Sequence, residues 1–289
     1  MLLQILTVLS YFGAISCSQS ARIFGGQQRV EPGELPYNAL IRIRKPLSVE
    51  IKSSCGSIVA SKWILVAAHS VFNDLSNPRL FEVIAGKYSL VESDRTEQVR
   101  QVRTVIRHPS YDHSVKGLHD IALLLLTTAL NFDEFVQPVV LEANPEYPLG
   151  AVGVVTGYGV IGSSGTAASY LTKLSVNILT PTQCTSGDSA YNPTLICTDP
   201  GTCEGDSGAP LFQQHGDQWS QIGLASFGFH CAFYGTPTYY TFLPQYLTWI
   251  NETIVTTKDD GNGSKRNTAP LMGILVVTCS KLIIGLLQF

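Results

Sequence analysis

Charge is scarce in this sequence: Asp, Glu, Lys and Arg make up only 14% of its 289 residues and sum to −3 at neutral pH. So even a balance provides no basic stripe for phosphate backbones, which excludes a nucleic-acid partner. Hydrophobic residues reach 45%, and that much apolar surface with so little charge excludes an intrinsically disordered chain. No repeat of fixed period runs through it, which excludes a solenoid or propeller. A phosphate-binding glycine loop and a cluster of metal ligands are also missing, so neither a cofactor nor a metal site is expected. The length suits one large domain or two small ones, with a sizeable core either way.

The two ends differ from the middle. Met1 to Ser16 form an apolar run followed by small polar residues, the layout of a secretory signal peptide. Cleavage fits after Ser16, Ser18 or Ser20, and the choice decides whether Cys17 survives. A second apolar run, Leu271 to Phe289, closes the chain with no polar flank after it and with Lys281 inside it. Small residues Gly261 to Ser264 and a polar spacer, Lys265 to Thr268, precede this run. That is the layout of a glycosylphosphatidylinositol (GPI) anchor signal. A transmembrane helix and an ordinary tail are the other two readings, and Lys281 keeps all three open. Thr256 to Thr268 reads as a polar stalk. Asn251-Glu-Thr and Asn262-Gly-Ser are acceptor sequons for glycosylation at Asn251 and Asn262.

Between the ends, short apolar runs alternate with Gly, Pro, Asn and Asp clusters. Leu40–Ile43, Phe81–Ile84, Ile121–Leu126 and Val152–Thr156 are the clearest, and their spacing predicts an all-β sandwich or barrel. Two helical segments are predicted: a short turn opening at Ala67-Ala68-His69-Ser70, and a C-terminal helix over Leu243 to Ile254.

Three segments carry chemistry. In Gly205-Asp206-Ser207-Gly208-Ala209-Pro210 a serine flanked by glycines can sit on a tight turn, with its hydroxyl exposed and its N–H free to face a reacting oxygen. Trp63-Ile-Leu-Val-Ala-Ala-His69 brings a histidine to the end of an apolar strand. His119-Asp120-Ile-Ala-Leu-Leu places a carboxylate at the mouth of another, where burial is expensive unless a partner compensates it. A nucleophile, a base of near-neutral pKa and a buried acid that sets the base's tautomer are the parts of nucleophilic acyl transfer.

Together the segments resemble the chymotrypsin-like serine proteases, in the chain order His, Asp, Ser. The likeness spans Ile23 to about Asn251. It includes Arg22-Ile-Phe-Gly-Gly as an activation site, Thr156-Gly-Tyr-Gly, Ser226-Phe-Gly as the substrate-binding strand, and Trp249-Ile250 in the terminal helix. The resemblance implies two six-stranded antiparallel Greek-key β-barrels with the active site between them. It implies His69, Asp120 and Ser207 as the triad, and the N–H groups of Gly205 and Ser207 as the oxyanion hole. Ser226 is implied beside Asp120, with Phe227 and Gly228 pairing to substrate backbone. Residues 1–16 are then the signal peptide (extending to residue 20 at most), 17–22 an activation propeptide and 23–254 the protease domain. Residues 255–268 are the stalk and 269–289 the hydrophobic tail. Cleavage after Arg22 would free the Ile23 ammonium to pair with Asp206, so the precursor is expected to be a nearly inactive zymogen. The implied partners are protein or peptide substrates, an activating trypsin-like protease and protein inhibitors. The enzyme is expected to act as a monomer, secreted or on the outer face of the plasma membrane.

The family's pattern is broken at several points. The specificity pocket has Gly201 at its base, where trypsin-like members carry Asp, and Thr238 where most carry Gly. With Gly228 as the other wall, an uncharged substrate side chain of small to medium size is predicted. Two disulfides are implied, Cys184–Cys197 and Cys203–Cys231. Cys55 stands for the cysteine that normally pairs with the residue after the histidine, here Ser70. The bridge beside His69 is therefore expected to be absent, with Cys55 either a free buried thiol or paired elsewhere, Cys17 being a candidate partner if it survives signal cleavage. Gly153 replaces a third-bridge cysteine, and Ala209 a glycine. Glu82 and Glu92 fall near a loop where some relatives bind calcium and are read as a solvated pair. A catalytically inactive relative acting as a binding protein is the alternative function.

Overall fold

The computed structural model describes residues 28–44, 51–72, 77–146, 148–161, 166–187, 190–202, 205–228 and 236–257. The first half holds β1 (Gln28–Arg29), β2 (Asn38–Arg44), β3 (Ile51–Ala60), β4 (Trp63–Val66), β5 (Phe81–Ala85), β6 (Gln98–Arg107) and β7 (Ala122–Leu126), with helix α1 (Ala68–Val71) after β4. The second half holds β8 (Val140–Leu141), β9 (Val152–Gly157), β10 (Val160–Ile161), β11 (Thr166–Ala167), β12 (Thr172–Asn177), β13 (Leu195–Thr198), β14 (Pro210–His215), β15 (Gln218–Gly228) and β16 (Thr238–Phe242). Helix α2 (Pro181–Gly187) precedes β13. A 3-10 turn over Leu243–Tyr246 leads into α3 (Leu247–Thr256), so the C-terminal helix opens on a tighter turn at Pro244 and carries Asn251 in its first half.

Strands β2 to β7 close into a barrel in the order β2-β3-β4-β7-β6-β5. Alternation along β2 explains how one strand serves two cores. Ala39, Ile41 and Ile43 point into the barrel with Ile58, Ile64 and Phe81. Leu40 points the other way, into a cluster with Cys55, Ile84, Val155, Leu211 and Tyr240. β7 is buried along its whole length, as its unbroken Ala-Leu-Leu-Leu-Leu requires. The interior of the first barrel and the seam to the second are thus built from opposite faces of the same strands.

The second unit is a sheet in the order β1-β12-β9-β14-β15-β16-β13, with β8 alongside β15. A bridge between Ile178 and Thr198 ties the end of β12 back to β13 and curls the sheet toward closure. The two-barrel expectation describes this architecture, with one difference: β8 pairs with β15 in parallel, at Ser220 and Gln221. β16 reaches only as far as Gly223 along β15, so that stretch of β15 edge is open to a further strand. α3 and its leading turn pack Leu243, Tyr246 and Ile250 against Leu65, Leu123, Phe212 and Leu224, stapling the chain end across both units.

The signal, propeptide and tail segments lie outside the described residues, as does nearly all of the stalk. Among the described residues no helix is long and apolar enough to cross a membrane.

Leu40→Ala should empty a site at the seam rather than inside either barrel. A loss of about 2–5 kcal/mol is expected in urea unfolding of the folded domain.

Candidate active site

β4 delivers the chain from the barrel wall to His69 through Ala67 and Ala68, both fully buried. β7 starts just after Asp120, and the residue before it, His119, takes φ +50°, the left-handed region that a non-glycine rarely occupies. The His119 carbonyl accepts the Ile121 N–H at 2.8 Å, a tight reversal that aims the Asp120 side chain at α1.

Asp120 is only 2% exposed, so its charge must be compensated locally. One carboxylate oxygen, Oδ1, accepts the main-chain N–H of His69 at 2.8 Å. The other, Oδ2, meets the His69 ring at Nδ1 (2.7 Å) and accepts the Ser226 hydroxyl at 2.5 Å. Thr241 Oγ1 donates to the Asp120 carbonyl at 2.9 Å. An ionised carboxylate can only accept, so Nδ1 carries the proton and Nε2 keeps a free lone pair. Burial of the ring opposes its protonation, but the hydrogen bond to Asp120 and the Asp120 charge outweigh it. The net effect holds the imidazole above its ordinary value of 6.5.

The loop before β14 turns on two left-handed glycines, Gly205 (φ +90°) and Gly208 (φ +76°). A β-carbon at Gly208 would strike the Cys55 carbonyl, so only glycine fits between the loop and β3. Gly208 N–H donates to Ala225 O at 2.9 Å, and Ala209 N–H to Asp206 O at 2.8 Å. Ala209 is fully buried in the seam core. Ser207 is half-buried, and its carbonyl accepts the Cys55 N–H at 2.8 Å and the Ser54 hydroxyl at 2.7 Å. Among the described residues neither the Gly205 nor the Ser207 N–H has an acceptor, so both donors are available to a ligand.

One contact here lies outside what the sequence reading named. It is Ser54, not Cys55, that faces the residue after His69: Ser54 Oγ lies 2.9 Å from Ser70 Oγ. Neighbours on a strand point to opposite faces, so Cys55 turns away, and its Sγ lies 3.4 Å from the Gly205 carbonyl. A pair of hydroxyls thus occupies the place assigned to the bridge. Among the described residues Cys55 is a free, buried thiol, pushed far up from the ordinary thiol range by burial and by the Asp206 charge. The reading from sequence missed Ser54 because the facing residue depends on the register of β3, which residue spacing alone does not fix. Cys184 and Cys197 are bonded. Cys203, Cys231 and Cys17 lie outside the described residues.

Asp206 is buried, and its Oδ1 accepts the Gly159 N–H at 2.8 Å. The carboxylate lies against Gly157 and Gly159 so closely that a β-carbon on either would overlap it, which explains the glycines of Thr156-Gly-Tyr-Gly. Arg22 and Ile23 lie outside the described residues. The Thr238 hydroxyl accepts the Gly201 N–H at 3.2 Å, and a β-carbon on Gly228 would contact Thr238 at 3.7 Å. Thr238 therefore stands between the two glycines. A side chain at Gly201 would collide with Val176. Past Ala225, the edge of β15 that β14 occupied is open among the described residues, leaving Phe227 and Gly228 paired only with β16 and Ser226 at an irregularity between them and Ala225. Phe227 stacks on Tyr239 with ring centroids 4.6 Å apart, and the Lys116 ammonium lies 4.4 Å from the Phe227 centroid.

Glu92 is exposed, as expected of a solvated acid, but Glu82 is not solvated. Glu82 lies 3.8 Å from Arg42 and 3.5 Å from Arg44. The Glu92 carbonyl accepts from the buried Lys87 ammonium at 3.1 Å, which also reaches Glu97 (2.6 Å) and Asp94 (3.7 Å). The cation of this loop is a lysine of the chain itself.

The family model described as Trypsin matches residues 23–250. Coagulation factor IX of Cavia porcellus is 34% identical over 242 residues, covering 79% of this chain and 80% of that protein. Coagulation factor XI of Bos taurus is 30% identical over 80% of this chain and 37% of its own length. Transmembrane protease serine 5 of Homo sapiens is 32% identical over 81% of this chain and 52% of its own length.

The two influences that raise the His69 imidazole both come from Asp120, and the one that lowers it is burial. NMR titration should therefore find His69 above 6.5 in the wild type and below it in Asp120→Asn. An unchanged midpoint would mean that the contact does not set the charge of the ring.

Proposed function

The chain belongs to the trypsin family of serine proteases, and we propose that it hydrolyses peptide bonds through His69, Asp120 and Ser207, after activation of a zymogen by cleavage behind Arg22. The observation that carries this reading is the Asp120 carboxylate. Buried and acceptor-only, it holds the proton of His69 on Nδ1 and leaves Nε2 as a base.

In this reading the Ser207 hydroxyl attacks the scissile carbonyl while His69 Nε2 takes its proton. The tetrahedral oxygen is received by the N–H groups of Gly205 and Ser207, and each such donor contributes about 3–4 kcal/mol to the transition state. His69 then returns the proton to the leaving amine, the acyl-enzyme forms, and water attacks by the same steps in reverse. The open edge at Ser226 to Gly228 suits an extended substrate added as a strand. Thr238, standing between Gly201 and Gly228 with no acid at the base, favours an uncharged side chain of small to medium size beside the cleaved bond. The activation step would bring the Ile23 ammonium to Asp206, beneath the oxyanion loop.

Substrates are proteins or peptides, and the protein works outside the cell or at its surface. The disulfide and the apolar leader support that location, and the tail is read as a GPI anchor signal. Release from cells by a phosphatidylinositol-specific phospholipase tests the anchor, and retention after treatment counts against it.

A fluorophosphonate probe should label Ser207 only after cleavage behind Arg22. Absent labelling of correctly cleaved protein would favour a binding protein over an enzyme. On a peptide library, Ala, Val or Leu should lead at the position before the cleaved bond, and a dominant Arg would overturn the pocket assignment. The acid limb of kcat/KM should lie above pH 6.5. Neutral His69 is the active form, and its raised pKa moves the loss of base upward.

A further inference from the structure

We infer that Ser54 is a positioning residue for the nucleophile, clasping its main chain to the helix that carries the base; this rests on the proteolytic reading above. Ser54 lies on β3 and is 3% exposed. Its hydroxyl has a single proton to give. The assignment that satisfies the cluster has Ser54 donating to the Ser207 carbonyl at 2.7 Å and Ser70 donating to Ser54 Oγ at 2.9 Å. The chain of bonds runs from the backbone of the nucleophile, through one hydroxyl, to the residue directly after His69.

Three further features make this a built link rather than a chance contact. First, the Ser207 carbonyl has a second donor from the same strand, the Cys55 N–H at 2.8 Å, so β3 grips the nucleophile twice. Second, only glycine fits between the loop at Gly208 and the Cys55 carbonyl, so the main chain around the nucleophile runs in close contact with β3. Third, the link stands where the family likeness assigns a disulfide beside the histidine. A hydrogen-bonded pair is weaker and adjustable, and it is insensitive to redox conditions. No part of this link touches the specificity pocket formed by Gly201, Gly228 and Thr238. Loss of the clasp should therefore move the distance between nucleophile and base and leave substrate affinity alone. A misplacement of about 1 Å is enough to slow a positioned reaction by up to roughly 100-fold.

The test uses the full chain, activated behind Arg22 and assayed on a peptide substrate. Ser54→Ala should lower kcat by about tenfold with KM within about twofold of wild type. Ser54→Thr, which keeps a hydroxyl proton for the Ser207 carbonyl, should hold kcat within about twofold of wild type. If Ser54→Ala does not fold, Ser54→Cys, whose thiol is only a weak donor, carries the comparison with Ser54→Thr and should be the slower of the two. Unchanged kcat in Ser54→Ala, a matching rise in KM, or a Ser54→Thr variant as slow as Ser54→Ala would each overturn the inference. The proteolytic reading would survive those results. An inactive wild type would overturn both.

Discussion

A buried carboxylate at position 120 organises the molecule. Taking an isolated charge out of water costs several kcal/mol, so Asp120 persists only because groups from separate parts of the chain surround it. His69 supplies a main-chain and a ring donor from the first barrel. Ser226 supplies a hydroxyl from β15, and Thr241 on β16 secures the Asp120 carbonyl. Neither unit satisfies the acid alone. The requirement that joins the two units at this acid is therefore the same one that orients the His69 ring.

The Ser207 loop depends on the seam in a similar way. Gly208 passes so close to β3, and Gly157 and Gly159 lie so close to the Asp206 carboxylate, that packing dictates their identity. The loop's carbonyl at Ser207 is held by β3 of the first barrel, and its N–H at Gly208 by Ala225 of the second unit. The free Cys55 thiol lies on the far face of β3, against the Gly205 carbonyl. With its pKa pushed up by burial it stays protonated, so it behaves as a small packed donor and not as a reactive thiolate.

Holding Ser70 through the Ser54 hydroxyl, beside the position where the family likeness assigns a disulfide, changes the kind of constraint. A covalent bridge limits the unfolded chain as well as the folded one, whereas hydroxyls act only once β3 and α1 have met. Lys87 tells a related story: an ammonium of the chain neutralises the acids of its loop from within. In both cases a local side-chain network supplies the constraint.

Much of this was legible in the residues. Apolar runs broken by turn residues set the all-β class, since a strand of alternating or continuous burial needs that pattern wherever it packs. Gly-Asp-Ser-Gly, the histidine after its apolar strand and the acid before another marked the three chemical groups, because each is an expensive or strained choice without a function. What tertiary structure alone decided was which face each residue presents. Ser54 and Cys55 are neighbours, and the register of one strand sends the first toward the residue after His69 and the second toward the Gly205 carbonyl. The parallel pairing of β8, the two arginines on Glu82 and the role of Thr238 between two glycines were settled in the same way. Composition and motif determine which chemistry a chain can hold. Register and packing bring groups distant in sequence within hydrogen-bond reach, and those separations are fixed only when the whole seam closes.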